Sequence, residues 1–487
     1  MAVLALGGVS LSWRSFRESA QRLQREPLYD AGRFHLSRLA GSDIVNPTVL
    51  QFGPDGALYV ATRFGLIHRL EVERTPEGYR AARVETTALV AGLPNHDDQG
   101  RPQPAVRGRL ITGMAVTGTA QSPVVYAVSS DPRVERPETD TNSGILSRLN
   151  RTAAGWRRTD LVRGLPRSRN DHAPNGIALE PDGRTLYLSI GSATNMGAPS
   201  AAFLGMSETP LTAAILIVDL HRLGDATLDL PTLDDPARPG AHDHNDPFGG
   251  NNGANEAMLP GNGIVRLHAE GLRNAYDLLW TPAGILTIDN GSNAAYGGPP
   301  RGHTARYRHE AVEGGESLIN PLYLIPRAGL FFGHPNLARP APAASATRPG
   351  LHFLVSTNGL TRMPGDPGGD RLDIAAISLD GSLTLVTLDH TGQLLHRRLL
   401  LTGLNGMPLD VTTGVGTAAP SDSVWIADMG ESAIHVFEPV AGRPFPHSRL
   451  TPDPGRTLTT RFLLWAIPMR AGILHTAQLL RRRLLPR

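Results

Sequence analysis

Apolar and polar residues alternate in short runs along this chain, and turn signals separate the runs. Alternation with a period of two indicates half-buried strands, and Asp-Gly provides the positive φ that a tight hairpin requires. Four copies of the pattern carry such a signal: Pro54-Asp55-Gly56, Pro181-Asp182-Gly183, Pro282-Ala283-Gly284 and Asp380-Gly381. Each of these copies is predicted to be a β-hairpin.

Further strands follow several of the hairpins, as in GLIHRLEV, GILSRLNR, AAILIVDL and SAIHVFEP. Two weaker copies of the hairpin pattern occupy 111–131 and 408–430. A hairpin followed by outer strands is typical of one propeller blade, and about six copies can be counted. The sequence therefore predicts an all-β, six-bladed β-propeller with long inter-blade loops, 220–262 and 296–350 among them. A pair of β-sandwiches or another repeat array is the rival interpretation.

Composition supports a globular chain, since 40% of its 487 residues are hydrophobic and 19% are charged. We expect a propeller over 31–445, between an N-terminal extension, 1–30, and a C-terminal tail, 446–487. A surface helix is predicted at 13–24 within the extension. The start of the chain is apolar but lacks preceding basic residues, so it is not a convincing signal peptide. The apolar stretch 462–474 is too short for a stable membrane span.

Charge and residue usage exclude several classes of function. The net charge is only +2 and no basic stripe is present, which argues against nucleic-acid binding. The sequence contains neither lysine nor cysteine. Lysine Schiff bases, P-loop phosphate sites, thiol catalysis and cysteine-ligated zinc are therefore excluded.

Two polar segments beside predicted inner strands carry candidate catalytic or anion-binding groups. His172, in NDHAPNG, is a candidate neutral general base, and the alternative is a surface or capping histidine. Arg273, in GLRNAYD, has the fork geometry that holds a carboxylate of an anionic cofactor. The alternative there is a structural Arg–Asp pair between blades.

Two other segments, IDNGSN and DHNDPFGGNNG, are rich in Asp, Asn and Gly. Carboxylate, amide and main-chain oxygens are the ligands that Ca²⁺ prefers. The candidate metal-binding residues are Gly291, Ser292, Asp243, Asn245 and Asp246. The alternatives are a turn that caps a strand and a solvated loop.

Together these segments resemble the soluble quinoprotein glucose/sorbosone dehydrogenase family, in a divergent branch. The resemblance covers roughly 46–439, and its clearest parts are NPTVLQFGPDGALYVATRFGLIHRL, DHAPNGIALEPDGRTLYLSIG, GLRNAYDLLWTPAGILTIDNGSN and GLFFGHPN. Members of that family are six-bladed propellers that use pyrroloquinoline quinone and calcium. The resemblance implies a sugar substrate, a separate electron acceptor and a periplasmic or extracellular location.

Residue by residue, the resemblance implies that His172 takes the sugar hydroxyl proton while hydride leaves the sugar C1 for the quinone. It implies that Arg273, Asn274 and Asn290 contact the cofactor. The main-chain oxygens of Gly291 and Ser292 would ligate the calcium that polarises the quinone.

Three departures from the family pattern weaken the expected quinone site. Ser192 stands where an acidic residue often orients the imidazole, and Met407 and Leu409 lie where the family tends to place arginines. The family's cofactor-contacting lysine cannot exist in this chain. Two alternatives therefore stay open: a calcium- and carbohydrate-binding propeller without redox chemistry, and a metal-dependent lactonase-like hydrolase.

Overall fold

Strands account for almost all regular structure in the part of the chain that is described. The structure is a computed structural model, and it describes residues 26–232, 247–253, 255–301, 310–340, 349–363, 371–415, 419, 422–440 and 445. The chain divides into two units, 1–445 and 446–487, of which the second lies outside the described residues. The predicted helix at 13–24 also lies outside them.

In chain order the strands are β1 (Leu28–Tyr29), β2 (Phe34–Arg38), β3 (Pro47–Phe52), β4 (Leu58–Thr62), β5 (Ile67–Thr75), β6 (Gly78–Thr87), β7 (Leu110–Gly118), β8 (Pro123–Ser130), β9 (Gly144–Thr152), β10 (Gly155–Leu165), β11 (Pro174–Leu179), β12 (Thr185–Ile190), β13 (Ala214–Asp219), β14 (Leu228–Asp229), β15 (Val265–Glu270), β16 (Ala275–Thr281), β17 (Gly284–Asp289), β18 (Asn320–Ile325), β19 (Leu330–Phe331), β20 (Leu351–Phe353), β21 (Thr357–Arg362), β22 (Arg371–Ser378), β23 (Leu383–Asp389), β24 (Leu394–Thr402), β25 (Pro408–Thr413), β26 (Val424–Asp428) and β27 (Ala433–Pro439). Helical turns in the described ranges are a 3₁₀ turn at Ala201–Phe203, α1 (Leu220–Leu223) and a 3₁₀ turn at Asn251–Gly253. No described helix is long and apolar enough to cross a membrane.

The strands form six antiparallel four-stranded blades, which confirms the predicted six-bladed β-propeller. From the innermost strand outward the blades are β3-β4-β5-β6, β7-β8-β9-β10, β11-β12-β13-β15, β16-β17-β18-β20, β21-β22-β23-β24 and β25-β26-β27-β2. Strand β2 joins blade 6 by pairing with β27, from Phe34 opposite Pro439 to Arg38 opposite His435. The beginning of the described chain thereby completes the last blade, which closes the ring.

The turn signals fall where the pattern predicted, with one shift of position. Gly56, Gly183 and Gly284 end the turns between the first and second strands of blades 1, 3 and 4, and all have positive φ. Gly381 lies instead between the second and third strands of blade 5. The segments 220–262 and 296–350, predicted as inter-blade loops, lie instead within blades 3 and 4. The first contains α1 and β14, and the second contains β18, the third strand of blade 4, and β19.

Each interface between neighbouring blades contains one hydrophobic cluster. Alternate residues of one strand point into different clusters, as for Leu58 and Val60 toward blade 6, and Tyr59 and Ala61 toward blade 2. Side chains on both faces of these strands are therefore buried, each face against one neighbouring blade. This explains why β4 is buried at every position.

The six innermost strands surround a central channel of about 340 Å³. Short bonds join neighbouring inner strands near their first residues: Thr48 Oγ1 donates to Ile111 O at 2.7 Å, and Asp410 Oδ2 accepts from Leu50 N at 2.8 Å. The inner strands consequently start at a common end of the ring. We call this end the N-terminal rim, defined by the starts of β3, β7, β11, β16, β21 and β25.

Candidate functional site

His172 lies on the N-terminal rim, two residues before β11. Ser168 fixes the preceding turn, since its hydroxyl accepts from His172 N at 3.1 Å and its N–H donates to His172 O at 2.9 Å. The imidazole is 3% exposed and packs edge-on against the Phe203 ring, with centroids 5.2 Å apart. The side chain is thus buried in the rim and is not a surface histidine.

The hydrogen bonds of the imidazole define its tautomer. His172 Nδ1 lies 3.0 Å from both the main-chain oxygen and the hydroxyl of Ser192. A carbonyl oxygen can only accept, so Nδ1 carries the proton and Nε2 holds the free lone pair. Burial, reinforced by the charge of Arg273, holds the pKa of His172 well below 6.5. The ring is therefore neutral at pH 7, with Nε2 as its basic atom.

Ser192 replaces the acidic partner that the family pattern led us to expect. Its hydroxyl donates to Thr194 O at 2.6 Å, and its main-chain N–H donates to Arg273 O at 2.7 Å. Blade 3 and blade 4 are joined at this point. A Cβ on Gly191 would lie 2.9 Å from His172 Cβ, so only glycine allows this close approach.

Arg273 points its guanidinium into the protein. Nε donates to Asn195 O at 3.0 Å, Nη2 to Asn195 Oδ1 at 2.9 Å, and Nη1 to Asn290 O at 3.2 Å. Arg273 is 5% exposed, and burial lowers its pKa against the opposing charges of Asp171, Asp289 and Glu208. Arg273 is therefore a buried cation bonded mainly to neutral oxygens.

Asp289 shapes the backbone on which Arg273 is carried. Its carboxylate accepts from Arg273 N at 3.0 Å and from Asn274 N at 2.7 Å. Burial raises the pKa of Asp289 to about 6, although these two N–H groups oppose the rise. The carboxylate thus holds the backbone at the start of blade 4.

The amides of Asn274 and Asn290 connect three blades across the rim. Asn274 Oδ1 accepts from Asn175 Nδ2 at 2.8 Å, and Asn290 Nδ2 donates to Asn358 Oδ1 at 2.8 Å. Asn274 is half-buried, whereas Asn290 is 3% exposed. His172, Arg273, Asn274 and Asn290 therefore lie close together on this rim.

Gly291 and Ser292 follow directly, but part of their bonding capacity is in use. Gly291 N donates to Asn320 Oδ1 at 2.9 Å, and Ser292 O accepts from Leu318 N at 3.0 Å. Calcium ligation at Ser292 would rely on the second lone pair of that oxygen. Asp243, Asn245 and Asp246 lie outside the described residues.

At the start of blade 6, Leu409 is buried and Met407 N donates to Asp428 Oδ1 at 2.7 Å.

Sequence reasoning missed Glu208, which organises the loop after Ser192. Its fully buried carboxylate accepts from Ala193 N and Thr194 N, both at 3.0 Å, and pairs with His334 Nε2 at 2.8 Å. Burial alone would raise its pKa, but the charge of His334 and the hydrogen bonds lower the pKa to about 2. A lone Glu in the otherwise uncharged run MSETPLTAAILIV was the available signal.

The central channel is a separate feature. The residues lining it come from the interiors of the inner strands, and none of the predicted site residues is among those described there. The chemistry-bearing groups lie above it on the rim.

Comparison with known proteins supports the fold alone. No protein-family model matches the chain. No curated protein matches it either. The pyranose dehydrogenase PQQ domain of Coprinopsis cinerea is similar in structure, with 13% identity and a TM-score of 0.52 over 85% of this chain and 98% of that one. At this identity the likeness establishes a shared propeller fold.

Two other solved structures have TM-scores below 0.5. A putative oxidoreductase (glucose dehydrogenase) of Thermus thermophilus has 16% identity and a TM-score of 0.49, covering 84% of this chain and 100% of its own. The C-terminal WD40 domain of Sif2 has 9% identity and a TM-score of 0.35, covering 83% of this chain and 98% of its own.

Proposed function

We propose that the rim around His172 oxidises a hydroxyl group of a neutral sugar, with a quinone of the pyrroloquinoline quinone type as cofactor. The observation that carries the proposal is the tautomer of His172. Its Nδ1–H is held by a main-chain oxygen, so the buried Nε2 is a neutral base in a fixed direction.

The chemistry assigned to this chain is proton removal. His172 Nε2 accepts the hydroxyl proton as hydride leaves the same carbon, and Ser192 keeps the ring from rotating. Asp171, whose Oδ1 lies 3.9 Å from Nε2, lowers the free energy of the imidazolium that forms. A bound quinone supplies the two-electron acceptor for that hydride.

Two groups of residues would hold such a quinone: one would bind a carboxylate of the cofactor, and the other would hold the calcium beside its carbonyl groups. Arg273 has five N–H groups, and the three bonds to Asn195 and Asn290 leave two for a carboxylate. The half-buried amide of Asn274 is adjacent. The main-chain oxygens of Gly291 and Ser292 would hold calcium. Among the residues that the resemblance assigns to the cofactor, only Arg273 is a cation, so we expect weaker cofactor binding than a site with several cations would give.

A neutral substrate agrees with the character of the rim. Asn175, Asn274, Asn290 and Asn358 form a run of uncharged amides, groups that can donate and accept, of which the half-buried Asn274 is the most open to a ligand. Sugar hydroxyls have the same dual capacity. We infer a neutral sugar substrate in preference to an acidic or basic one, and a periplasmic or extracellular location remains a prediction of the family resemblance.

A second candidate is a propeller that binds a sugar and calcium without oxidising anything. The inward bonds of Arg273 favour it, because they reduce what remains for a cofactor carboxylate.

Reconstitution of the full chain with pyrroloquinoline quinone and Ca²⁺ tests both candidates. We expect saturable quinone binding and dye reduction that depends on an added aldose. His172→Gln should lower turnover at least about a hundredfold, since general-base catalysis contributes that much. His268→Gln, which removes another buried histidine of blade 3, is the control and should stay active. Quinone that fails to bind, with sugar binding intact, would establish the second candidate.

A further inference from the structure

A second cluster of ionisable groups lies in blade 6, away from His172 in the chain. Asp428 ends β26, Glu431 lies in the turn that follows, and His435 lies in β27. Asp428 is opposite Ala433 and Ile426 is opposite His435 in the hairpin, so Asp428 and His435 are diagonal neighbours on one face. One ligand atom from each of the three residues lies within 4.8 Å of the others.

Two atoms of this cluster are buried and make no hydrogen bond to the described part of the chain. They are Asp428 Oδ2 and His435 Nε2, which lie 3.4 Å apart. Glu431 Oε2 lies 3.7 Å from the same nitrogen, and its side chain is 35% exposed. A buried carboxylate oxygen and a buried imidazole nitrogen left in this way are costly unless something binds both.

The buried pair formed by His334 and Glu208 provides a comparison, because its two side chains are directly hydrogen-bonded. His334 Nε2 lies 2.8 Å from Glu208 Oε1, a normal hydrogen-bond distance. The distances of 3.4 and 3.7 Å at His435 are too long or too poorly aligned for that. The edges of a tetrahedron around zinc are about 3.3–3.6 Å for metal–ligand bonds of 2.0–2.2 Å. The 3.4 Å distance falls within that range, and the 3.7 Å distance to the exposed Glu431 is slightly longer.

The backbone around Asp428 orients its carboxylate for this role. Oδ1 accepts from Met407 N at 2.7 Å and from Glu431 N at 3.1 Å, which leaves Oδ2 facing His435. A Cβ on Gly406 would lie about 2 Å from either carboxylate oxygen, so glycine is required there. The guanidinium of Arg38 donates to the main-chain oxygens of Glu431 and Ser432 and so fixes the turn.

We propose that Asp428, Glu431 and His435 bind one divalent cation of the zinc class. An imidazole nitrogen with two carboxylates suits zinc better than calcium, which prefers oxygen ligands alone. The half-exposed Glu431 provides the route of entry and leaves a fourth position to water. The metal would clamp the β26–β27 hairpin, the strand pair to which β2 is added when the ring closes.

Equilibrium dialysis of the chelator-treated full chain against Zn²⁺ tests the proposal. We expect one zinc ion per chain whose affinity falls at least about tenfold in His435→Gln and in Glu431→Gln. Asp428→Asn should also lose it, while keeping an oxygen for the two backbone N–H groups. His35→Gln removes a half-exposed histidine 3.9 Å from Glu438 and should bind zinc as the wild type does.

Co²⁺ substitution provides a second readout that is independent of stability. A visible spectrum typical of four-coordinate cobalt is expected in the wild type and in His35→Gln, and not in His435→Gln. Zinc binding that is unchanged in folded His435→Gln would overturn the proposal. So would displacement of zinc by equimolar Ca²⁺, because that would mark an all-oxygen site.

Discussion

The guanidinium of Arg273 donates two hydrogen bonds to Asn195. Nε bonds the main-chain oxygen of Asn195 at 3.0 Å, and Nη2 bonds its side-chain oxygen at 2.9 Å. Asn195 Nδ2 in turn donates to the main-chain oxygens of Asn293 and Gly297, at 2.9 and 2.8 Å. Arg273, which the family resemblance assigns to cofactor binding, therefore also joins blade 4 to blade 3.

Arg273→Lys should destabilise the folded chain by about 2–4 kcal/mol, because an ammonium cannot reproduce the planar fork and leaves buried acceptors unsatisfied. Urea denaturation followed by tryptophan fluorescence measures this. Arg163→Lys is the matched control, since Arg163 forks onto Asp229 at the surface, at 2.6 Å for both bonds, and should cost less than about 1 kcal/mol. Equal losses in the two variants would contradict a structural role for the Arg273 fork.

Glu208→Gln should cost about 3 kcal/mol at pH 7, because the pKa of Glu208 is depressed from 4.5 to about 2 in the folded chain. The ionised carboxylate of Glu208 therefore stabilises the folded chain fully above pH 4.5, and this stabilisation is lost as the pH falls toward 2. The wild type should therefore show a steep loss over that window, and the variant a shallower one. The surface variant Glu73→Gln should change stability by less than about 1 kcal/mol. Parallel acid profiles for wild type and Glu208→Gln would count against the buried pair.

The channel has a titratable pair of its own in Asp277 and Asp410. Burial raises the pKa of Asp277 to about 7, and burial together with the charge of Asp277 raises the pKa of Asp410 well above its usual range. Carboxyls with raised pKa values bind more protons in the folded state, so stability should decrease as the pH rises from about 4 to 7. Each carboxylate accepts a backbone N–H of the next blade, from Leu360 and Leu50 respectively, at 2.8 Å.

Asp410→Asn should flatten this slope between pH 5 and pH 8, since it removes one of the two carboxyls that take up protons on folding. Thermal unfolding at several pH values gives the slope independently of any constant loss caused by the substitution. Asp182→Asn, in an exposed hairpin turn, should leave the slope as it is. A slope that is identical in Asp410→Asn would show that the pair does not titrate together.

Gly191→Ala should displace the imidazole and cost about 1–3 kcal/mol, because the new Cβ would lie 2.9 Å from His172 Cβ and 3.0 Å from Asn274 Oδ1. Gly261→Ala, at a position with nothing within 4 Å of the added atom, should change stability by less than about 0.5 kcal/mol. The imidazole NMR signals of His172 should shift in the first variant only. Unshifted signals would mean that the rim tolerates the methyl group.

Much of the fold could be predicted because it depends on local signals. Strand periodicity and Gly turns act over fewer than about ten residues, so the hairpins of blades 1, 3 and 4 were placed correctly from sequence. The pattern in blade 5 was shifted by one strand, since Asp380-Gly381 lies between its second and third strands. Strand β18 was missed inside a segment that was predicted as a loop.

The sequence by itself indicated that His172, Arg273 and Asn290 lie beside strand ends, since the hairpin pattern recurs with polar residues next to it. Only the tertiary structure decided what each side chain bonds. Asn195 is 78 positions from Arg273, and Glu208 is 126 positions from His334. Such partners meet only when neighbouring blades pack, and no local periodicity records which loop of one blade lies against which loop of the next.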